Sequence, residues 1–568
     1  MINFDSLTLK ALLREIRPVI ENSRVQKIRQ PSRQELILTL RNNSKNHTLF
    51  ISIKPAFAHI CLLEEENKKY RIMDIPSSPP MFCMLLRKYL ENSKIEKVVQ
   101  PEHERIVEFY FTAYGELGES IKLVLAIELM GKHSNMILYN ADTRLIVGCA
   151  HNVGEEKSKT RELAGNLPYV YPPKYYKTDI LSINAEDFIN CAKVLNTTFY
   201  NWLNEKFYDI SVPLAKEICR DFNIPTDKSL GFILDKEILK KVFSKLKEIL
   251  SLNKPKPSID KDFQEFSLTG IYENHIKNIN CMVDLYFGKN SFNQMLEHKR
   301  KILLSVIERE IKKVQKLIKK LSLGAEFDEK ILKYKQTADT LMANLHLPKQ
   351  TQDKIILKNV YTDEYISIEI DNTLSLNDNA QKYYKLYTKA KKTKESNEEL
   401  YLKYSQKENY LLSIKSALKL AFDKEILDEI EEEIHSLNPL KQKKINTAKK
   451  TKTCIEKIES GDFQIYIGKN NKQNDYIVSK LSSPEDFWFH VKGDFGSHVL
   501  VKSKTKTETL PNEILLKAAE LAAKYSERQT DSKINVIYTK RKYLRKPPAA
   551  NLGYVTYKNE QELTVKLQ

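Results

Sequence analysis

The residues of this chain best suited to chemistry lie in three short segments. In Glu128-Leu-Met-Gly-Lys-His-Ser-Asn135 an apolar run gives way to Lys132, His133, Ser134 and Asn135. A lysine charge, a hydroxyl and the backbone N–H groups that a glycine turn exposes can together hold a phosphate. The same residues would serve equally in a plain polar turn whose His and Asn cap neighbouring backbone. The other two segments are Lys469-Asn-Asn-Lys-Gln-Asn-Asp475 and Asp486-Phe-Trp-Phe-His-Val-Lys-Gly-Asp-Phe-Gly-Ser-His498. Phe487, Trp488 and Phe489 supply stacking planes, Lys469, Lys472 and Lys492 supply charge for phosphates, and the Asn/Gln cluster suits base edges or sugars. That is an RNA reader's set of side chains. It also fits a tryptophan buried in a β core with a polar turn after it, because alternate residues of a strand face inward. His490 and His498 have no carboxylate or cysteine at ligand spacing, so no metal is expected. The sequence contains no P-loop, HExxH, GxSxG or dinucleotide fingerprint, and it therefore points to neither catalysis nor a cofactor.

Composition narrows the partner. The 568 residues carry a net charge of +18, with a sequence pI near 9.2, which favours a polyanion and nucleic acid first among polyanions. With 29% charged and 41% hydrophobic residues and only 15 glycines and 20 prolines, the chain reads as folded and helix-rich, of three or four domains at about 150 residues each. Its seven cysteines are scattered and never in CxxC spacing, which suits a reducing compartment. No basic segment followed by an apolar core opens the sequence, so export is not expected. The most apolar stretch, residues 121–130, includes Lys122 and Glu128 and is far short of the roughly twenty residues that span a bilayer. A cytoplasmic protein that avoids membranes is the expectation.

These segments need a scaffold, and the pattern predicts an α+β multidomain one. Residues 1–177 open with a helical stripe (Leu7, Leu9, Leu12, Leu13, Ile16) and continue as strands near 35–40, 49–53 and 106–111, ending at Tyr169-Val-Tyr-Pro-Pro-Lys174. Residues 178–260 read as short helices. In 261–290 the alternation of Phe266, Leu268 and Ile271, then Met282, Val283, Leu285 and Phe287, predicts strands that rejoin the first sheet. Leu304, Ile307, Ile311, Val314, Ile318 and Leu321 step alternately by three and four residues, a heptad seam over 291–345. A second seam (Tyr404, Leu411, Ile414, Leu418, then Leu420, Leu427, Ile430 and Ile434) occupies 377–440, with a β tip at 346–376 between them, so the two arms predict an antiparallel hairpin. Residues 441–458, rich in lysine, read as an exposed basic linker, and 459–568 as a compact α+β domain. No internal repeat is read.

Five segments together carry a resemblance that spans essentially the whole chain. They are Pro79-Pro-Met-Phe-Cys-Met-Leu-Leu-Arg-Lys88, the Glu128 to Asn135 segment, Asn377-Asp-Asn-Ala-Gln-Lys-Tyr-Tyr-Lys385, Gly468-Lys-Asn-Asn-Lys-Gln-Asn-Asp-Tyr476, and Phe487-Trp-Phe-His490 with Gly496-Ser-His498. In these the chain resembles the NFACT family. The resemblance implies an N-terminal domain similar to that of formamidopyrimidine DNA glycosylases, a helix-hairpin-helix domain, a coiled-coil hairpin with a middle tip, and a C-terminal RNA-binding domain. It implies a non-enzymatic, monomeric translation factor. Such a factor binds a large ribosomal subunit obstructed by peptidyl-tRNA, recruits alanyl-tRNA so that the nascent chain receives an alanine tail, and works beside a small RNA-binding partner protein. The implied tRNA contacts are Asp5, Glu104, Arg105, Lys132, His133, Ser134 and Asn135, with Glu104 standing where the family's usual pair is Asp-Arg. The implied ribosome or RNA contacts are Lys469, Asn470, Asn471, Lys472, Asn474, Trp488, His490, Ser497 and His498. Asp209 stands where glycine would suit the helical hairpin, and Lys546-Pro-Pro548 lacks a following glycine. Two other readings attach to the resemblance. One is a fibronectin-binding surface adhesin. The other is a DNA glycosylase, which the opening Met1-Ile2-Asn3 disfavours because it offers no N-terminal proline nucleophile.

Overall fold

The computed structural model describes all residues except 1–3, 72–74, 115–117, 157, 159, 174, 193–196, 228–234, 322–323, 349, 363, 438–454, 505–507, 549 and 568. The opening tripeptide, Cys454 and most of the expected basic linker thus lie outside the described residues. The chain divides into two units, Met1–Gln294 and Met295–Gln568.

The first unit is built on a nine-stranded antiparallel sheet of order β4-β3-β2-β1-β5-β6-β7-β8-β9. Its elements are α1 (Ser6–Ile20), β1 (Arg24–Ser32), β2 (Glu35–Asn42), β3 (Lys45–Ser52), β4 (His59–Leu62), α2 (Met81–Leu90), β5 (Lys94–Val99), β6 (Ile106–Tyr114), β7 (Ser120–Glu128), β8 (Asn135–Asn140) and β9 (Ile146–Cys149). That order is symmetrical about the β1–β5 contact, and the symmetry lies in the sequence after all. Residues 20–31, Ile-Glu-Asn-Ser-Arg-Val-Gln-Lys-Ile-Arg-Gln-Pro, recur at 90–101 as Leu-Glu-Asn-Ser-Lys-Ile-Glu-Lys-Val-Val-Gln-Pro. The expectation of no internal repeat is corrected. Each copy ends a helix, reverses at an asparagine with positive φ (65° at Asn22, 66° at Asn92) and closes with a serine hydroxyl donating to the helix's last carbonyl (2.6 Å from Ser23 to Ile20, 2.7 Å from Ser93 to Leu90). Asparagine tolerates the left-handed conformation better than other non-glycine residues. Each copy then bulges at the same place, between Val25 and Lys27 and between Ile95 and Lys97. The copies differ where they turn. β1 continues to Ser32 through a second irregularity after Arg29, whereas β5 stops at Val99, and between the equivalent pairs Arg29–Ile37 and Val99–Glu108 the second connection is one residue longer.

Both faces of this sheet are covered, which is why the second half of β7 is buried without alternation. One face packs α1 and α2 in the main core. The other meets a layer of Tyr139, Leu163 and Tyr169 around two buried carboxylates. Glu108 accepts hydrogen bonds from the hydroxyls of Tyr110 (3.0 Å), Tyr139 (2.8 Å) and Tyr171 (2.6 Å). Glu128 binds the Arg161 guanidinium through both oxygens (2.8 and 2.5 Å) and accepts from Tyr169 (3.0 Å).

After the sheet come α3 (Ala185–Cys191), α4 (Phe199–Lys206), α5 (Val212–Asp221) and α6 (Lys236–Ser251), then β10 (Ser258–Ile259), β11 (Phe266–Ser267) and β12 (Asn274–His275). These three short strands form a sheet of their own and do not join the large one, correcting the expectation for 261–290. Residues from Ile279 onward are helical, in α7 (Ile279–Leu321). The buried set there is Ile279, Met282, Val283, Tyr286 and Phe287, the three-and-four spacing of a helix face. A short apolar run alone does not separate that spacing from a strand. Glu15 of α1 accepts from the Ile279 and Asn280 amides (3.0 Å each), placing a negative charge at the N-terminus of α7. Asp284, fully buried, binds Arg71 (2.9 Å) and the Glu64 amide (3.1 Å).

In the second unit the remainder of α7 and α8 (Gly324–Ala343) run antiparallel to α9 (Leu376–Leu420). Glu308 pairs with Lys415, Gln315 with Glu408, Asp328 with Lys394 and Asp339 with Tyr384, so each step forward on one arm is matched by a nearly equal step back on the other. Ile307, Ile311 and Val314 on one arm and Leu411, Ile414 and Leu418 on the other are buried as the seams predict. Strands β13 (Lys354–Lys358) and β14 (Tyr365–Glu369) pair at the tip. The second arm is not one helix: it breaks at an extended Ala421, and α10 (Lys424–Ser436) follows.

The C-terminal sheet, of order β15-β16-β18-β17-β19-β22, consists of β15 (Glu456–Ser460), β16 (Phe463–Ile467), β17 (Phe487–Val491), β18 (Val499–Ser503), β19 (Ile534–Lys540) and, beyond a two-stranded sheet of β20 (Leu544–Arg545) and β21 (Thr556–Tyr557), β22 (Gln561–Val565). Residues 456–458, expected in the linker, are strand. Helix α12 (Asn512–Lys524) covers one face with Ala518, Ala519, Ala522 and Ala523, while Trp488, Leu500 and Ile537 fill the other.

Breaking a buried ion pair by deleting one partner leaves an uncompensated charge and costs about 3–5 kcal/mol. Glu128→Ala should therefore destabilise the first unit by that amount in urea denaturation, and a loss within 1 kcal/mol would show that the pair does not hold the outer layer.

Candidate functional site

The first unit contains a cleft of about 1630 Å³. Asp5, Ser6, the 103–105 turn, the 130–135 turn and residues 208–213 line it, so the structure gathers all seven expected N-terminal site residues around one space. They do different work. Asp5 is the N-cap of α1, accepting from the Thr8 amide at 2.8 Å. Burial pushes its carboxyl pKa up, and hydrogen bonds from Ser211 and Thr8 oppose that shift. Ser134 and Asn135 are buried and serve the backbone: Ser134 Oγ accepts from the Met130 amide (2.9 Å), and Asn135 bonds the His151 carbonyl (2.8 Å) and amide (3.1 Å). For these two the side chains do what the capping reading expects. Lys132 and His133, just before them, are exposed to the cleft.

Glu104 and Arg105 enter β6 from the longer of the two repeated turns. Gln100 Nε2 clamps this turn by donating to the Glu104 carbonyl (2.9 Å), while the Arg105 carbonyl accepts from the Leu129 amide (2.8 Å). The residue inserted in this turn relative to its counterpart accompanies a left-handed His103, φ 62°. His103 Nδ1 lies 2.8 Å from the Asp209 carboxylate, and its ring stacks on Tyr208 at 4.2 Å. Asp209, between α4 and α5, is itself left-handed at φ 59°, the conformation for which glycine would have been suited, and it uses its side chain to tie that hairpin to the turn. Neither the His103–Asp209 contact nor the wall residues Arg33 and Arg161 was foreseen. The paired Glu-Asn-Ser and Gln-Pro signals of the repeat were the available clue to the first turn.

Charge in the cleft is unbalanced in a useful way. Asp5 is engaged in its cap, Asp209 with His103, and Arg161 with Glu128. Among the described residues the side chains of Arg33, Arg105 and Lys132 have no hydrogen-bond or ion-pair partner. Unpaired cations on rigid turns are suited to phosphate oxygens. No group of three or more His, Cys, Asp or Glu among the described residues is placed to hold a metal ion.

The C-terminal candidates are placed otherwise. Asn470 caps α11 (Asn471–Tyr476), its side chain accepting from the Gln473 amide at 2.8 Å, and donates to Glu429 of α10 (2.7 Å). Gln473 donates to the same carboxylate (2.9 Å), and Asn471 donates to Glu433 (3.0 Å) and Ser413 (2.9 Å). Asn474 bonds the His498 amide (3.0 Å) and the Gly496 carbonyl (3.2 Å). A Cβ on Gly468 would sit 2.2 Å from Asn474 Oδ1, so only glycine fits there. Lys469 pairs with Glu456 (2.6 Å) and Lys472 with Glu432 (2.9 Å). Trp488, Ser497 and His498 are buried, and His490 stacks on Trp488 at 5.6 Å. Of the nine residues expected to face RNA, Asn470, Asn471, Asn474, Trp488, Ser497 and His498 are instead buried, where they join the C-terminal sheet to the helical arm or fill its inner face, while Lys469, Lys472 and His490 are half-buried. Burial of two carboxylates demands donors, and amide side chains supply them.

Against this geometry stand the comparisons with known proteins. The family description "NFACT N-terminal and middle domains" matches residues 5–485, and "NFACT protein RNA binding domain" matches 453–559. The chain belongs to the NFACT family. It is 28% identical over 566 residues to the Rqc2 homolog RqcH of Streptococcus pneumoniae serotype 2, covering 99% of this chain and 98% of that one, and 28% identical over 577 residues, with the same coverage, to the Rqc2 homolog RqcH of Bacillus subtilis. Among solved structures it matches the N-terminal part of the fibronectin/fibrinogen-binding protein of Streptococcus suis at 26% identity, with a TM-score of 0.41, over 50% of this chain and 99% of that one. In this NFACT chain the matched RNA-binding region contains the buried amide motif, whose role is therefore architectural. No described helix is long and apolar enough to cross a membrane.

Two outcomes follow from the C-terminal arrangement. Asn471→Ala should leave Glu433 short of a donor and destabilise the second unit by about 1–3 kcal/mol, with RNA affinity of the folded protein unchanged; an affinity loss without a stability loss would restore the RNA-contact role. Burial lowers the imidazole pKa of His490 and of His498 below 6.5, so the unfolded chain takes up protons first. Stability from these two residues is complete above 6.5 and is lost as pH falls from there through the lowered values. His498→Gln should flatten the dependence of the urea midpoint on pH between about 7 and 5, and an unchanged slope would refute this assignment.

Proposed function

We propose that this NFACT protein is a ribosome-associated quality-control factor. It binds a large ribosomal subunit carrying peptidyl-tRNA and recruits alanyl-tRNA, so that the stalled chain receives a C-terminal alanine tail as a degradation mark. The observation that carries this reading is the first unit's cleft, where Arg33, Arg105 and Lys132 stand unpaired among described residues while Asp5 and Asp209 are engaged internally. A net charge of +18 supports it. The ribosome supplies the peptidyl-transferase chemistry, so the chain needs only to hold and orient RNA. In this reading residues 1–177 form a glycosylase-like domain that grips tRNA, 178–260 a helix-hairpin-helix domain that buttresses the grip through Asp209, and 291–440 a hairpin that satisfies its own seams within a monomer. Residues 459–568 form the domain that meets ribosomal RNA, and a small RNA-binding protein is a partner. Glu104 keeps the charge of the family's usual Asp and reaches one methylene further.

The test is Arg105→Ala. It should remove a charge-assisted contact worth about 1–3 kcal/mol, so that the variant still sediments with large subunits but loses co-purifying tRNA and tail synthesis. A surface arginine without such a role would leave both unchanged within about 1 kcal/mol. Retained tRNA in the variant, or alanine-free tails on wild-type products, would overturn the reading.

A further inference from the structure

The internal repeat places two related turns at one cleft. In the second, Gln100 Nε2 clamps the carbonyl of Glu104, beside Arg105. In the first, Gln30 Nε2 reaches the carbonyl of Arg33 at 3.4 Å, a looser version of the same clamp. Both glutamines precede a proline, Pro31 or Pro101, and stand near the end of β1 and just after β5, two strands with the same early bulge. Gln30 is buried, so its turn is anchored from inside, while Arg33 at the tip is exposed and lines the cleft.

We infer that Arg33 is a second phosphate-binding point of the cleft, carried by the turn that the duplication relates to the Arg105 turn although its own counterpart there is Glu104, so that an RNA backbone is held from both repeat-related turns. The inference rests on the proposed RNA-binding role of the cleft and adds a residue to it. Three features carry it. The Arg33 guanidinium has no partner among the described residues, so the fold gives it no other use. The backbone that presents it is held by the Ser32–Glu35 closure, in which Ser32 Oγ donates to Glu35 at 2.8 Å, with the looser Gln30 contact beside it, so ordering an RNA phosphate there costs little backbone entropy. The two turns also differ in length: the second has the extra residue that accompanies the His103–Asp209 tie, whereas the first has no such tie and offers a bare cation. One turn is braced for a defined contact and the other provides charge, a division suited to a ligand with a continuous anionic backbone.

The experiment uses the full chain and a fluorescein-labelled tRNA transcript, with dissociation constants measured from about 50 to 200 mM salt. Arg33→Ala should weaken binding about 10-fold and lower the slope of log Kd against log salt by about one counterion. Arg33→Lys should restore most of the slope, and Arg105→Ala should weaken binding independently. Lys45→Ala, at an exposed lysine outside the cleft, is the control for net charge. Arg33→Ala binding like wild type while Arg105→Ala is weakened would overturn the inference and leave the RNA-binding reading standing. Equal loss with Lys45→Ala would overturn it as a generic charge effect. No loss in either arginine variant would overturn the reading of the cleft itself.

Discussion

The Glu128 carboxylate, buried at the end of β7 with both oxygens on Arg161, is the interaction on which the N-terminal cleft depends. A carboxylate at that depth is tolerable only when paired and hydrogen-bonded. Arg161 and Tyr169 meet that need from a segment that must therefore lie across the outer face of the sheet. Covering that face lets β6, β7 and β8 be apolar on both sides, which makes them rigid. The turn that begins two residues after Glu128 and the turn that ends in Arg105 then project from fixed strand ends. The Leu129 amide bonds the Arg105 carbonyl, so the two turns are held to each other as well.

Rigidity alone does not make a site. The two halves of the sheet repeat the same helix, reversal, bulge and glutamine clamp, and they diverge where the second turn gains a residue. That residue accompanies the left-handed His103, which reaches the equally left-handed Asp209. A symmetric duplication supplies the frame, and one inserted residue converts one of its turns into the place where a second group of helices is tied down. The same insertion distinguishes Arg105, held in a braced turn, from Arg33 in the simple one.

The C-terminal region shows why side-chain chemistry read from sequence can be right in type and wrong in direction. Asparagine, glutamine, lysine and aromatic rings are what an RNA surface needs, and they are also what two buried carboxylates and a β core need. Glu429 and Glu433 settle the matter, since α10 presents them to Asn470, Asn471 and Gln473, and the amides turn inward. Nothing near residues 469–475 in the chain announces those carboxylates, which are about forty residues away.

Sequence by itself determined the α+β class, the heptad seams and the basic balance, because periodicity and composition are local or additive properties. It also held the repeat at residues 20–31 and 90–101, which only the matching asparagine reversals and bulges make conspicuous, and the family's motifs, which single out Asp5, Glu104 and Arg105 as a group. Tertiary structure decided the rest. It decided that residues 279–290 are helix, because the face they bury repeats at three and four residues against a partner that the local pattern does not reveal. It decided which polar residues serve the fold, such as Ser134, Asn135 and the 470–474 amides, and which stand free, such as Arg33, Arg105 and Lys132. Whether a polar side chain is engaged or available depends on what lies opposite it, and what lies opposite is set by contacts between residues far apart in the chain.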